Sequence, residues 1–210
     1  MLCLFDLDGT LIDSEPGITA CIQHAFDKLG VPAPTELRPW IGPPLRHSFA
    51  PLLDHDAERV EAAVDYYHER FATLGWREHL VYPGIAAAIE RLQANGHTLA
   101  VVTSKPERHA RPIIEHLPFG KAFTRLYGPD PSSPHSEKAS MIAAALADFA
   151  ASPGQTAMIG DRCFDIEGAV ANRVRGIGVL WGFGSREELE RAGAHELARD
   201  PGHLADLLAA

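Results

Sequence analysis

The sequence predicts an α/β fold, a parallel sheet with helices on both faces, interrupted after its first strand by a small all-helical insertion. Three observations carry this. Five short apolar runs, each closed by a turn signal, alternate with stretches of helical periodicity. The runs are apolar on both faces, as strands buried between two helical layers are. The segment from Ser14 to Leu80 carries helical spacing and no strand signal.

Taken in order, LCLF at the N-terminus reads as a buried strand cut off by DGT. Further strands are expected at Thr98–Ser104, Ala122–Gly128, Gln155–Asp161 and Gly176–Gly182. Helices are expected at Gly84–Asn95, Pro106–His116, Glu137–Phe149 and Asp165–Arg173. Proline is favoured in a first helical turn, which suits Pro106, whereas Pro112 should bend its helix or mark a fresh start. ASPGQ reads as a turn, SSPHS (Ser132–Ser136) as an exposed loop, and the tail from Ser185 as two short helices around a minor strand, HELA. In the insertion, Val60, Ala63, Val64, Tyr67 and Phe71 share one helical face. The domain reading is therefore 1–13 with 81–210 as the α/β core, and 14–80 as the insertion.

Composition narrows the function classes. The chain has 210 residues, is 46% hydrophobic and carries a net charge of −9. That charge argues against general affinity for nucleic acid polymers or anionic membranes. Cys3, Cys21 and Cys163 lack metal or redox spacing, and free thiols suit a cytoplasmic protein. The first apolar run ends at Asp6, which does not read as a signal peptide, and no apolar stretch reaches the roughly 20 residues that span a bilayer.

Ligands of open parallel sheets bind beyond the C-terminal ends of the strands. After the first strand stand Asp6 and Asp8; after the second, Thr103, Ser104 and Lys105; after the fourth, Asp161 and Asp165 in GDRCFD. Lys138 opens the helix leading into that fourth strand. Clustered acids, with none of the eleven histidines at ligand spacing, suit a hard cation such as Mg²⁺. The cation answers the repulsion between Asp6 and Asp8 and can hold the oxygens of a phosphate ester. A carboxylate beside it can attack phosphorus, a second can handle protons, and a hydroxyl and a lysine can stabilise the transferring oxygens.

FDLDGT, VVTS, Lys138 and GDRCFD, in that order, resemble the four signature motifs of the haloacid dehalogenase-like hydrolases. The resemblance spans nearly the whole chain and implies a Rossmann-like core with a mobile cap, here 14–80. It implies Asp6 as nucleophile, Asp8 as general acid/base, Thr103 and Lys138 as phosphoryl binders, and Asp6, the Asp8 carbonyl and Asp161 as metal ligands supported by Asp165. Asp8 favours phosphoryl over carbon–halogen chemistry, since dehalogenating members lack that acid. DSEPGI, IGPPLRHSF, VYPGI and GVLWGFGSREEL resemble the phosphoglycolate phosphatase-like subgroup, including its 5′-nucleotidase branch. The third motif departs from the Lys-Pro common there and reads EKAS.

The expectation is a Mg²⁺-dependent phosphatase acting on a small phosphorylated metabolite through an aspartyl-phosphate. It is phosphoglycolate phosphatase-like, with a 5′-nucleotidase or a phosphomutase as alternatives. Ser104 and Arg46 are further substrate-binding candidates; Lys105 and Arg162 are candidates for phosphate or a substrate carboxylate. Cys163 is expected to be a spectator, and Trp40, Trp76 and Trp181 to serve packing. A receiver-type phospho-switch also gathers acids, Thr and Lys around Mg²⁺. In such a domain the phosphorylated acid follows the third strand, and a lid would serve no purpose.

Overall fold

The computed structural model describes residues 1–129 and 137–209. The chain divides into two compact units, Met1–Asp13 with Val81 onward, and Ser14–Leu80. The loop expected at Ser132–Ser136 lies outside the described residues.

The first unit is built on a six-stranded parallel sheet. Its strands are β1 (Leu2–Phe5), β4 (Thr98–Val102), β5 (Phe123–Tyr127), β6 (Thr156–Gly160), β7 (Arg175–Val179) and β8 (Glu196–Ala198), in the order β5-β4-β1-β6-β7-β8. Two short strands, β2 (Ile12–Asp13) and β3 (Leu80–Val81), form a separate small sheet where the chain leaves and rejoins this unit. The core helices are α4 (Ile85–Ala94), α5 (Glu107–His116), α6 (Lys138–Asp148), α7 (Cys163–Ala171), α8 (Arg186–Arg191) and α9 (Pro201–Ala209).

Alternation along the strands builds the core. Leu2, Leu4, Ala100, Val102 and Met158 face Met141, Ile142 and Ala145 of α6 and Ala169 of α7 in one apolar cluster. The residues between them, Cys3, Phe5, Val101 and Ile159, are equally buried on the other face. There Phe5 meets Phe123 edge-on, with ring centroids 5.9 Å apart. Burial on both faces is why these strands read as continuous apolar runs.

The strand order reverses at β1, which pairs with β4 on one side and β6 on the other. Phe5 lies opposite both Val101 and Ile159, so the residues following the three strands emerge at one level. This is a topological switch point, where adjoining crossovers diverge and leave a crevice.

One helix start differs instructively from the sequence reading. α7 begins at Cys163 rather than Asp165, because Glu188, distant in sequence, accepts from the Cys163 N–H. α5 runs through Pro112 without a fresh start.

The second unit comprises α1 (Glu15–Leu29), α2 (Leu45–Phe49) and α3 (Ala57–Thr73), with single 3₁₀ turns between. Val60, Ala63, Val64, Tyr67 and Phe71 form the buried face of α3. Phe26, Trp40 and Phe49 pack as a triangle with centroid separations of 5.2–5.8 Å. Asp56 caps α3 by accepting from the Glu58 and Arg59 N–H groups. Among the described residues, no helix is long and apolar enough to cross a membrane.

Candidate active site

The residues after β1, β4 and β6 meet in the crevice of the first unit. The Asp6 N–H donates to the Ile159 carbonyl at 2.9 Å, which locks the first turn beyond β1 to β6. Oxygens of Asp6, Asp161 and Asp165, all buried, lie within 4.8 Å of one another. Burial is the main reason the Asp6 carboxyl rises to about 6, Lys138 opposing it and Asp165 and Asp8 adding to it. Asp161 is pushed up to about 8 by burial, then by repulsion from Asp6 and Asp165.

Lys138 is the counter-charge. A lysine at the first position of a helix faces an unfavourable dipole and would ordinarily swing into water. Here its side chain is only 5% exposed, and Nζ donates to Asp6 Oδ1 at 2.8 Å and to the Val102 carbonyl at 3.0 Å. It also pairs with Asp165 Oδ1 at 2.7 Å. Burial alone would depress its pKa, but Asp165 and Asp6 more than offset that and hold it charged.

Asp8 is held differently. Lys105 Nζ donates to both Asp8 oxygens, at 2.8 and 2.7 Å. The partner the structure gives Lys105 is thus a carboxylate of the chain itself. Thr103 is buried at the end of β4, and its hydroxyl oxygen accepts from the Lys105 N–H at 3.1 Å, leaving its proton to donate. Ser104, next to it, is exposed.

Close backbone packing fixes Asp161. Its Oδ1 accepts from the Thr10 hydroxyl at 3.2 Å and its Oδ2 from the Phe183 N–H at 2.8 Å. Gly9, at φ +86°, lies so near that a Cβ there would stand 2.2 Å from Asp161 Oδ2. Trp181 donates from Nε1 to the Thr10 carbonyl at 3.1 Å, so it ties the turn after β1 as well as packing.

Arg162 pairs with Glu188, and burial and Glu188 push the half-buried Cys163 thiol up, away from the reactive thiolate. Arg46 lies in the second unit, in a bidentate pair with Glu61 at 2.6 and 2.8 Å. The sequence reading assigned no role to Thr10, the Phe183 N–H or Glu188. Only the S-x-x-E pattern at Ser185–Glu188 marked Glu188, and that pattern signals a helix cap.

The site suits a divalent cation. Four carboxyl groups, Asp6, Asp8, Asp161 and Asp165, share two ammonium partners, Lys105 and Lys138. The carboxylates of Asp6, Asp161 and Asp165 offer oxygen alone, as Mg²⁺ prefers.

An acid cluster with a buried lysine at the switch point of a parallel sheet suits phosphate-handling chemistry. The sequence profile of the haloacid dehalogenase-like hydrolases matches residues 3–179, and the chain belongs to that family, within its phosphatase class. It is 40% identical over 209 residues to a 5′-nucleotidase of Pseudomonas aeruginosa, covering 99% of this chain and 91% of that one. It is 33% identical over 192 residues to the tyrosine-protein kinase PtkA of Mycobacterium tuberculosis, covering 90% of this chain and 65% of that one. Phosphoglycolate phosphatase 1 of P. aeruginosa is 29% identical over 191 residues, with 87% and 70% covered. The crystal structure of a predicted phosphatase from Clostridium acetobutylicum superposes with a TM-score of 0.89 at 36% identity, covering 99% and 97% of the two chains.

Proposed function

We propose that this chain is a Mg²⁺-dependent phosphomonoesterase that works through an aspartyl-phosphate on Asp6. One observation carries the reading: Asp6 is buried at a strand end, 2.8 Å from Lys138, in a cluster with the buried acids Asp161 and Asp165. Asp6, Asp161 and the Asp8 carbonyl would hold the cation, with Asp165 steadying them through Lys138. When bound, the cation screens the anionic phosphate from these acids and makes phosphorus more electrophilic.

The chain's own groups carry the steps. An Asp6 carboxylate oxygen attacks phosphorus, forming the acyl-phosphate bond as the bond to the leaving alkoxide breaks. Protonated Asp8 gives its proton to that alkoxide. Thr103 donates its hydroxyl proton to a phosphoryl oxygen, and Lys138 stabilises the growing negative charge. Water then attacks phosphorus, Asp8 takes its proton, and phosphate leaves as the Asp6 carboxylate is restored. The unit Ser14–Leu80 serves as a cap that selects the substrate and excludes water.

Nucleoside 5′-monophosphates are the leading substrate class, supported by the near full-length likeness to a 5′-nucleotidase. Phosphoglycolate is the second. The test is phosphate release from a panel of phosphomonoesters ranked by kcat/KM, with and without chelator, for wild type and Asp6→Asn. Metal-dependent release that Asp6→Asn abolishes with the fold intact is expected. Chelator-resistant release, substantial activity of Asp6→Asn, or isomerised sugar phosphate without free phosphate would overturn the reading.

A further inference from the structure

We infer that Glu188 is a positioning residue for the cation site, fixing the turn between Asp161 and Asp165 from a helix outside the motif. The inference rests on the proposed cation site.

Arg162 alone separates Asp161 from α7, whose first turn opens at Cys163 and holds Asp165. One oxygen of Glu188 ties both Arg162 and Cys163. Oε1 accepts from Arg162 Nε at 2.8 Å and from the Cys163 N–H at 2.9 Å. Asp165 completes the lock from inside, its Oδ2 accepting from the Arg162 N–H at 3.1 Å. Asp165 thereby keeps its other oxygen toward Lys138.

What Glu188 forgoes shows where its carboxylate is used. Ser185 caps α8 and accepts from the Glu188 N–H at 3.1 Å. In a full capping box the Glu188 carboxylate would return to the Ser185 N–H. It crosses instead to the N-terminus of α7, where its charge meets Arg162 and the positive end of the helix dipole. The same segment supplies the Phe183 N–H that orients Asp161, and a Cβ on Gly184 would stand 1.9 Å from the Asp161 carbonyl oxygen. The Gly182–Glu188 segment therefore grips the acid turn at Asp161, Arg162 and Cys163. Without Glu188 the turn loses the acceptor that ties Arg162 to the Cys163 N–H.

The test is Mg²⁺ binding by calorimetry, with fold checked by circular dichroism in chelator. Groups that orient metal ligands typically contribute about 10–100-fold in affinity. Glu188→Ala is expected to weaken Mg²⁺ binding by at least tenfold. Glu188→Asp keeps the charge but draws the oxygens back by one methylene, and it too should weaken binding should Glu188→Ala fail to fold. Glu188→Gln retains an acceptor at the same reach and should stay within a few-fold of wild type. Glu187→Ala, on the exposed side of the same turn, should change nothing. Wild-type affinity in both Glu188→Ala and Glu188→Asp, or an equal loss in Glu187→Ala, would overturn the inference while leaving the metal site intact. Wild-type protein that binds no Mg²⁺ would overturn the metal site itself.

Discussion

A single methyl group at Gly182 tests how tightly the cation site is built. The φ of Gly182 lies outside the left-handed region, so alanine strains no backbone torsion there. Its Cβ, however, would stand 2.3 Å from Asp161 Cβ, 2.4 Å from the Gly9 carbonyl oxygen and 2.6 Å from Asp161 Oδ2. An ordinary contact begins near 3.4 Å, so Asp161 or the loop must yield by about 1.1 Å. Two of the three obstacles belong to the acid and the third to the turn after β1, so little can move without disturbing the site. Overpacking of this kind costs about 1–3 kcal/mol. For a chain of this size, that lowers Tm by roughly 2–4 °C per kcal/mol. A displacement of this size in a ligand should weaken Mg²⁺ binding by about 10–100-fold. The assay pairs thermal melts in chelator with Mg²⁺ titration by calorimetry. Gly154→Ala, with nothing within 4 Å of the added methyl, is the control and should leave both unchanged. Wild-type Tm and Mg²⁺ affinity in Gly182→Ala would refute the close-packing argument.

Other expectations concern the charges. Lys138→Met leaves Asp6 and Asp165 buried without their cation, and breaking such a pair costs about 3–5 kcal/mol. Urea melts should show that loss, and addition of Mg²⁺ should recover part of it. Lys105→Met releases both Asp8 oxygens; since general acid–base catalysis contributes about 10²–10⁴-fold, kcat should fall by at least tenfold. The raised carboxyls of Asp6 and Asp161 make the metal-free protein pH-sensitive. Above pH 3.8 the unfolded chain has released protons that the native state still holds, so stability falls as pH rises toward about 8. Calorimetry in chelator from pH 5 to 8 should show Tm declining, and saturating Mg²⁺ should flatten the trend. A rising metal-free Tm across that range would contradict it.

The charged motifs were legible because their chemistry is local. Asp6 and Asp8 follow a buried strand, as do Thr103 and Asp161, and strand ends of a parallel sheet share one crevice. The partners of those residues were not legible. The pairing of Lys105 with Asp8, 97 positions away in the chain, is one example. The start of α7 was misplaced by two residues because the group satisfying the Cys163 N–H is Glu188, far along the chain.

The sequence alone determined the alternation of strands and helices in the core and which acids follow its strands. Apolar periodicity and turn chemistry act between near neighbours and need no fold to be read. The tertiary structure decided how those acids are neutralised and held. Which lysine meets which carboxylate depends on the strand order β4-β1-β6 and on where α6 begins. How rigidly Asp161 is held depends on Gly9, Gly182 and Gly184 lying against it, contacts between segments that only the folded sheet brings within a few ångströms.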